Sequence, residues 1–133
     1  MMSLYKNYEN QKSLDIEKVN QLKQLGLEIQ EDVLQQLTQA HIESVDAILN
    51  EMNSALKQQN FEDLVRNAHK FKSSCANLGL MKLHHLCQDF EKLISQFLKM
   101  KTFDARMIQE FIDCITYEAQ YTNQQLQEQT KAA

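Results

Sequence analysis

The chain has 133 residues and a formal net charge of −4, with no proline, only two glycines and 43% hydrophobic residues. A chain of this length fits one domain with a substantial core, and the scarcity of turn residues favours long helices joined by short polar loops. A membrane-spanning protein is not expected, because no apolar run approaches the roughly 20 residues that a transmembrane helix needs.

The cysteines and the N-terminus both favour a cytoplasmic protein. Three cysteines are present, an odd number without closely spaced pairs, which is typical of a reducing compartment rather than of a disulfide framework. The first residues, MMSLYKNYENQKS, lack the apolar block of a signal peptide.

Charge is distributed unevenly along the chain. The formal net charge is −5 for residues 1–56, +4 for residues 57–101 and −3 for residues 102–133. The basic middle segment is too sparse for a nucleic-acid footprint, which needs a denser stripe of Lys and Arg. It suits an acidic protein partner or an anionic group.

The sequence pattern of the N-terminal part of the chain predicts an extension followed by two helices. Residues 1–13 are polar and mixed, as in a frayed or short helical extension. A short helix is predicted from Leu14 to Gly26, with the glycine ending it; its apolar positions are Val19, Leu22 and Leu25. A long helix from about Glu31 to Lys57 follows, because apolar positions recur at spacings of three and four. These positions are Leu34, Leu37, His41, Val45, Ile48, Met52 and Ala55.

Two further helices surround a glycine turn in the middle of the chain. Asn60 is a suitable N-cap for the first of them, and Gly79 is placed to end it. Its apolar stripe consists of Phe61, Leu64, Ala68, Phe71, Cys75 and Leu78. The next helix is predicted from about Leu80 to Lys99, with the stripe Leu83, Leu86, Cys87, Phe90, Ile94 and Phe97.

The last predicted helix completes an all-α chain. Lys101 and Thr102 form the preceding loop, with Thr102 as the expected N-cap, and the helix is marked by Ile108, Phe111, Ile112, Ile115 and Ala119. Four long amphipathic helices with short connections predict an antiparallel four-helix bundle, here with a short extra N-terminal helix. We expect residues 1–29 to form the extension, residues 30–127 the bundle, and residues 128–133 a tail.

One histidine is predicted to lie on the solvent face of its helix. At about 100° per residue, the apolar stripe of the third helix centres roughly 130° away from His69. The side chains that share its face are small or cationic: Val65, Arg66, Lys72, Ser73 and Ala76. A large partner could therefore approach this imidazole closely.

Such an imidazole is chemically useful. Neutral imidazole is a nucleophile near pH 7, because histidine has an ordinary pKa of about 6.5. It can attack phosphorus and carry a phosphoryl group, while the ammonium of Lys72, one turn away, would offset the transferred charge. The residues alone also allow a plain surface histidine without function.

The run HKFKSSCANLG at residues 69–79 resembles the signature of histidine phosphotransfer (HPt) domains. In that signature an accepting histidine precedes an apolar residue at position two, a lysine at three, small residues at four to six and Leu-Gly at nine and ten. The following LMKLHHLCQDFEKL and the preceding KQQNFEDLVRNAH are also similar to the family. Positions of the following helix that agree are Leu83, Cys87 and the pair Phe90-Glu91. The resemblance covers roughly residues 30–120.

The resemblance implies a phosphorelay phosphocarrier built on a four-helix bundle. His69 would accept a phosphoryl group from the aspartyl-phosphate of one receiver domain and pass it to the aspartate of another, and Lys72 would stabilise the phosphate. Six residues would shape the docking surface: Val65, Arg66, Lys70, Ser73, Ala76 and Asn77. Ser73 departs from the glycine that is usual in the family, and this difference could alter docking or the stability of the phospho-form.

The implied partners are receiver domains of hybrid histidine kinases and response regulators. No cofactor is expected on this chain, since the Mg²⁺ that activates the aspartates would belong to the receiver. We expect a monomer without autonomous kinase activity, because two glycines cannot build a nucleotide-binding loop.

Other functions fit the sequence less well. The main alternative is a non-catalytic module of the same fold that docks a receiver without carrying phosphate. A di-iron bundle site needs Glu-x-x-His motifs, and none of the four histidines has a glutamate three residues before it. A zinc site made from His84, His85 and Cys87 lacks the paired ligand spacing that such sites show.

The remaining histidines and cysteines have structural interpretations. His41 falls within an apolar stripe and is expected to be packed or at the boundary of the core. His84 and His85 are expected at the surface. The cysteines, Cys75, Cys87 and Cys114, fall at or near core-facing positions, where cysteine acts as a small apolar residue.

Overall fold

The computed structural model describes residues 3–131, and the regular structure within that range is helical. The six helices are α1 (Ser3–Lys6), α2 (Ile16–Ile29), α3 (Val33–Lys57), α4 (Phe61–Leu78), α5 (Met81–Met100) and α6 (Ala105–Lys131). Among these, α3 packs on α4, α4 on α5, α5 on α6, and α6 back on α3. Short loops make successive members antiparallel, so the predicted all-α antiparallel four-helix bundle is confirmed.

The bundle has one continuous apolar core. Each of its helices contributes the apolar residues of one face to this core. The largest fully buried side chains include Phe71, Phe90, Met52, Leu64 and Ile115. All three cysteines are buried and unpaired, as predicted for apolar core residues. Burial raises the pKa of the Cys75 thiol, which keeps it in its uncharged form.

Both ends of α4 have the predicted caps. The side chain of Asn60 accepts a hydrogen bond from the backbone N–H of Asp63 at 3.1 Å. Gly79 has φ = 72° and ends the helix in the left-handed conformation, which glycine adopts without steric cost. A Cβ at this position would lie 2.8 Å from the Cβ of Lys18, so the turn between α4 and α5 also needs glycine for the close approach of α2.

The prediction that the short helix after Leu14 ends at Gly26 is wrong. The helix α2 continues to Ile29 and ends at Gln30, which has φ = 58° and donates its backbone N–H to the carbonyl of Gly26. A Cβ on Gly26 would lie 2.5 Å from the backbone oxygen of Glu31. The glycine is therefore needed because the following turn folds back against the helix.

Two further predictions fail at this level of detail. Leu25 is 42% exposed, because the buried face of α2 passes through Val19, Leu22 and Gly26 instead. The N-cap of α6 is not Thr102 but Asp104, whose carboxylate accepts from the backbone N–H groups of Arg106 and Met107. A carboxylate is favoured at this end of a helix by the helix dipole.

The N-terminal extension packs against the bundle. The Tyr5 hydroxyl donates to the buried carboxylate of Glu118 at 2.5 Å, and the Tyr8 hydroxyl donates to Asp89 at the same distance. Burial and these two carboxylates raise the pKa of both tyrosines. The segment before α2 is thereby joined to both α5 and α6. At the other end of the chain, α6 remains helical to Lys131, with Leu126 in the core.

His41 lies inside the bundle, in agreement with the prediction of a packed residue. Its side chain is 2% exposed, and its Nδ1 lies 2.6 Å from the hydroxyl oxygen of Ser74. Within residues 3–131, Nε2 has no hydrogen-bond partner. Burial lowers the pKa of His41 from 6.5 to about 4, so the imidazole is neutral in the folded protein at neutral pH.

We expect His41 to make the bundle sensitive to acid. Between pH 6.5 and pH 4 the unfolded chain binds a proton at this residue that the folded chain does not bind. The free energy of unfolding should therefore fall by about 3 kcal/mol as the pH decreases across this window. Urea unfolding of the wild type and His41→Leu at several pH values measures the difference. Parallel pH profiles for the two proteins would contradict the assignment.

Candidate functional site

The second histidine of the chain, His69, projects from the middle of α4 into solvent. The side chain of His69 is 64% exposed, whereas Ala68, Phe71 and Cys75 on the opposite side of the helix are completely buried. The predicted placement of His69 away from the core is confirmed. Its imidazole is reachable by another protein without any change in the bundle.

The turn at Gly79 brings α5 alongside this histidine. As a result Glu91 of α5 lies between His69 and Lys72 of α4. Its Oε1 is 3.4 Å from Nδ1 of His69, and its Oε2 is 3.1 Å from Nζ of Lys72. The side chains of Lys72 and Glu91 are only 22% and 23% exposed. Their ion pair is therefore less screened by solvent than an ordinary surface pair.

The other cations near His69 have different surroundings. Arg66 is exposed and pairs with Asp63 one turn earlier on the same helix, at 2.8 Å. Lys70 is exposed beside the histidine and points away from the core stripe. Of the three cations predicted near the imidazole, only Lys72 shares a charged partner with it among the described residues.

Small side chains keep the surface around the histidine low. Ser73 and Ala76 are exposed, and Val65 is partly buried against the core. The Ser73 hydroxyl donates to the backbone carbonyl of His69 at 3.3 Å. This bond turns the hydroxyl back along the helix, so the serine at the usual glycine position adds little height to the surface.

Asn77 lies at the margin of the site. It is exposed, and it lines a cleft of about 270 Å³ between α3 and α4 together with His41 and Ser74. The predicted docking residues therefore share one side of α4, with Asn77 on its α3 side and Lys72 on its α5 side.

The histidines of α5 are more enclosed than predicted. Both His84 and His85 are half-buried rather than fully at the surface. Nδ1 of His84 lies 3.3 Å from the backbone carbonyl of Lys72, because the tight turn holds the start of α5 close to α4. This contact supports the segment of α4 that carries Lys72.

Glu91 is the residue of this site to which the sequence assigned no role. It occupies an expected position in the resemblance, but its contact with His69 crosses from one helix to the next. Helical periodicity relates residues within a helix and gives no register between two helices. The turn at Gly79 is the sequence feature that could have indicated this contact, because a tight turn makes α4 and α5 antiparallel neighbours.

Membrane-spanning helices and metal-ligand clusters were sought in the part of the chain that the structure describes. No helix within residues 3–131 is both long and apolar enough to cross a membrane. In the same range, no group of three or more His, Cys, Asp or Glu side chains is arranged to hold a metal ion.

Comparison with known proteins gives one family and one solved structure. The family model described as Hpt domain matches residues 36–129. The X-ray structure of a rice protein assigned as a histidine-containing phosphotransfer protein superposes with a TM-score of 0.73. The two sequences are 21% identical, and the match covers 90% of this chain and 82% of the rice chain. A search of curated proteins gave no match.

The structural similarity to the rice protein supports the fold, and the family match contains both helices of the candidate site. Residues 36–129 make up most of the chain and include His69, Lys72 and Glu91. This chain therefore belongs to the Hpt domain family, the histidine phosphotransfer domains of phosphorelays.

Proposed function

We propose that this protein is a phosphorelay phosphocarrier and that His69 is its phosphoacceptor. The observation that carries the proposal is the exposed imidazole in the middle of α4, with the ammonium of Lys72 one turn away. The matched Hpt region includes both residues. Of the four histidines, His41 is buried and His84 and His85 are half-buried, so His69 is the most accessible nucleophile of this type.

The partners are receiver domains, which supply and accept the phosphoryl group at an aspartate. The positive balance of residues 57–101 suits the acidic phosphorylation site of such a partner. Val65 and Ala76 would contact the partner beside His69, with Arg66, Lys70, Ser73 and Asn77 around them. An apolar centre with a polar rim is typical of a protein interface.

The chain itself supplies the nucleophile, His69, and the positively charged side chains around it, without a bound cofactor. The Mg²⁺ that activates the aspartate belongs to the receiver, and the phosphate comes from it rather than from a nucleotide bound here. The protein is therefore a carrier and not a kinase. We place it in the cytoplasm as a monomer; its three unpaired cysteines fit a reducing compartment.

Transfer from a receiver domain that carries ³²P-labelled aspartyl-phosphate tests the proposal. The wild type should acquire a label that is labile in acid and stable in alkali, as expected for a phosphoramidate. A panel of receivers that bind the protein but leave it unlabelled would contradict the proposal. That result would favour a docking module without phosphate transfer.

Lys72→Ala is expected to slow phosphate acceptance without eliminating it. A donor fully enclosed around a transition state contributes a factor of about 100 or more; Lys72 is partly open to solvent, so we expect a loss of roughly tenfold. Initial rates from the labelled receiver measure the effect. Lys99→Ala, at the far end of α5, is the matched control and should retain the wild-type rate. Equal rates for the two variants would remove Lys72 from the chemistry.

A further inference from the structure

An open cleft of about 600 Å³ lies between the second half of α2, the turn into α3 and the C-terminal end of α6. This volume falls within the usual range for small-molecule sites, about 300–1,000 Å³. The residues around the cleft belong to α2, the turn, α3 and α6. This α2–α6 cleft is therefore separate from the surface of α4 and α5 that carries His69.

The floor of the α2–α6 cleft is apolar. Leu22 and Leu34 form it and are 8% and 2% exposed, and Val33 is partly buried beside them. Leu27 stands at the edge of the cleft and is 76% exposed. An apolar group in the cleft would remove the Leu27 side chain from water, and burial of apolar surface is favourable. These apolar side chains are all aliphatic, so an aliphatic ligand fits them without the stacking that a ring would need.

The cleft also carries a cation without an acidic partner. Nζ of the half-buried Lys23 donates a hydrogen bond to Oε1 of Gln129 at 3.3 Å, which joins α2 to α6. The ion pairs within residues 3–131 do not include Lys23. Because an ammonium has three N–H donors, Lys23 can bind an anionic group and keep its contact with Gln129.

Two acidic residues of the turn limit the charge that the cleft accepts. Glu31 and Asp32 both line it, and with Lys23 they give the lining a formal charge of −1. The carboxylate of Asp32 is engaged at the start of α3, where it accepts from the backbone N–H of Gln35 at 3.0 Å. Multiply charged anions such as nucleotides are repelled by this pair of acids. A single negative charge placed at Lys23 is compatible with it.

We propose that the α2–α6 cleft binds a monocarboxylate with an aliphatic chain, the chemistry of a free fatty acid. The carboxylate pairs with the ammonium of Lys23 and accepts from the side-chain amide of Gln129. The chain lies on Leu22 and Leu34 and covers Leu27. This binding site is additional to phosphate transfer and does not depend on the function proposed for His69.

NMR titration of the full chain with decanoate, below the concentration at which it forms micelles, tests the proposal. We expect saturable shifts of backbone amides that cluster in residues 22–34 and 129–130. Decanol has the same chain without the charge. It should bind roughly three- to fivefold more weakly, because an ion pair that is open to water on one side contributes a factor of this size.

Two substitutions separate the charge from the apolar contact. Lys23→Gln should weaken decanoate binding roughly three- to fivefold and leave decanol binding unchanged. Leu27→Asp should weaken both ligands, because it removes apolar surface from the edge of the cleft. The matched controls are Lys12→Gln and Leu25→Asp, which change exposed side chains that do not line the cleft. Both controls should retain the wild-type affinity, and far-UV circular dichroism verifies that each variant is folded.

The proposal is overturned if decanoate causes no saturable shifts in residues 22–34 and 129–130. It is also overturned if decanol binds the wild type as tightly as decanoate and Lys23→Gln has no effect, because the cleft would then not select a carboxylate. Shifts of the same residues that depend on protein concentration without any ligand would assign the cleft to a second copy of the chain. That result would overturn the proposal as well.

Discussion

The variant His69→Gln is expected to accept no phosphate and to unfold at the same temperature as the wild type. Glutamine has no nucleophilic ring nitrogen, so the phosphoramidate has no site on which to form. The imidazole is 64% exposed and lies on the opposite side of α4 from the core. Substitutions of a side chain that is mostly in solvent usually change stability by less than about 0.5 kcal/mol.

Phosphate acceptance and thermal unfolding should be measured on the same preparation. His85→Gln is the matched control, because it makes the same replacement on α5 at a half-buried position outside the proposed chemistry. Retention of label by His69→Gln would assign the acceptor to another residue. A large drop in its unfolding temperature would instead show that the imidazole supports the bundle.

The variant Phe71→Ala, two residues further along the same helix, is expected to have the opposite effect. Its ring is completely buried and contacts the ring of His41 at a centroid distance of 5.9 Å. Removal of a buried phenyl group costs about 3–5 kcal/mol, because apolar contacts are lost and a cavity remains. A domain of this size has only about 5–15 kcal/mol of net stability, so this is a large fraction of the total.

Urea unfolding with far-UV circular dichroism measures the loss as a lower midpoint at a similar slope. Lys70→Ala changes the preceding residue, which is exposed, and should stay within about 0.5 kcal/mol of the wild type. The Phe71→Ala molecules that remain folded should still accept phosphate on His69. A stability loss below about 1 kcal/mol for Phe71→Ala would mean that the inward face of α4 is wrongly assigned.

The large features of this fold follow from local patterns in the sequence. Apolar residues at spacings of three and four placed Phe71 inside α4 and His69 outside it, because the helical repeat fixes the angle between two residues of one helix. Asn60 and Gly79 indicated the ends of α4. The Asn60 side chain accepts a hydrogen bond from a free backbone N–H at the start of the helix, and Gly79 adopts the left-handed conformation at its end. The motif that begins at His69 could be recognised from the sequence for the same reason, because nearly all of it lies within one helix.

Features that depend on two elements at once were not predictable in this way. The sequence pattern predicts a helix end at Gly26, yet this glycine lies inside α2 and is required because the backbone of Glu31 passes close to it. The exposure of Leu25 follows from the face of α2 that is buried, which passes through Val19, Leu22 and Gly26. The contacts of Glu91 with His69 and Lys72 depend on the register between α4 and α5, and that register is set by core packing on both helices.

Reconstitution of a complete relay tests the central claim most directly. A labelled phospho-receiver is mixed with this protein and with a second, unphosphorylated receiver, and label on the second receiver is followed with time. We predict that label reaches the second receiver through wild-type protein, with transient label on the protein itself, and that His69→Gln supports no transfer above the rate without protein. Transfer at the wild-type rate through His69→Gln, or label that stays on the wild type and never leaves it, would contradict a carrier that acts through His69.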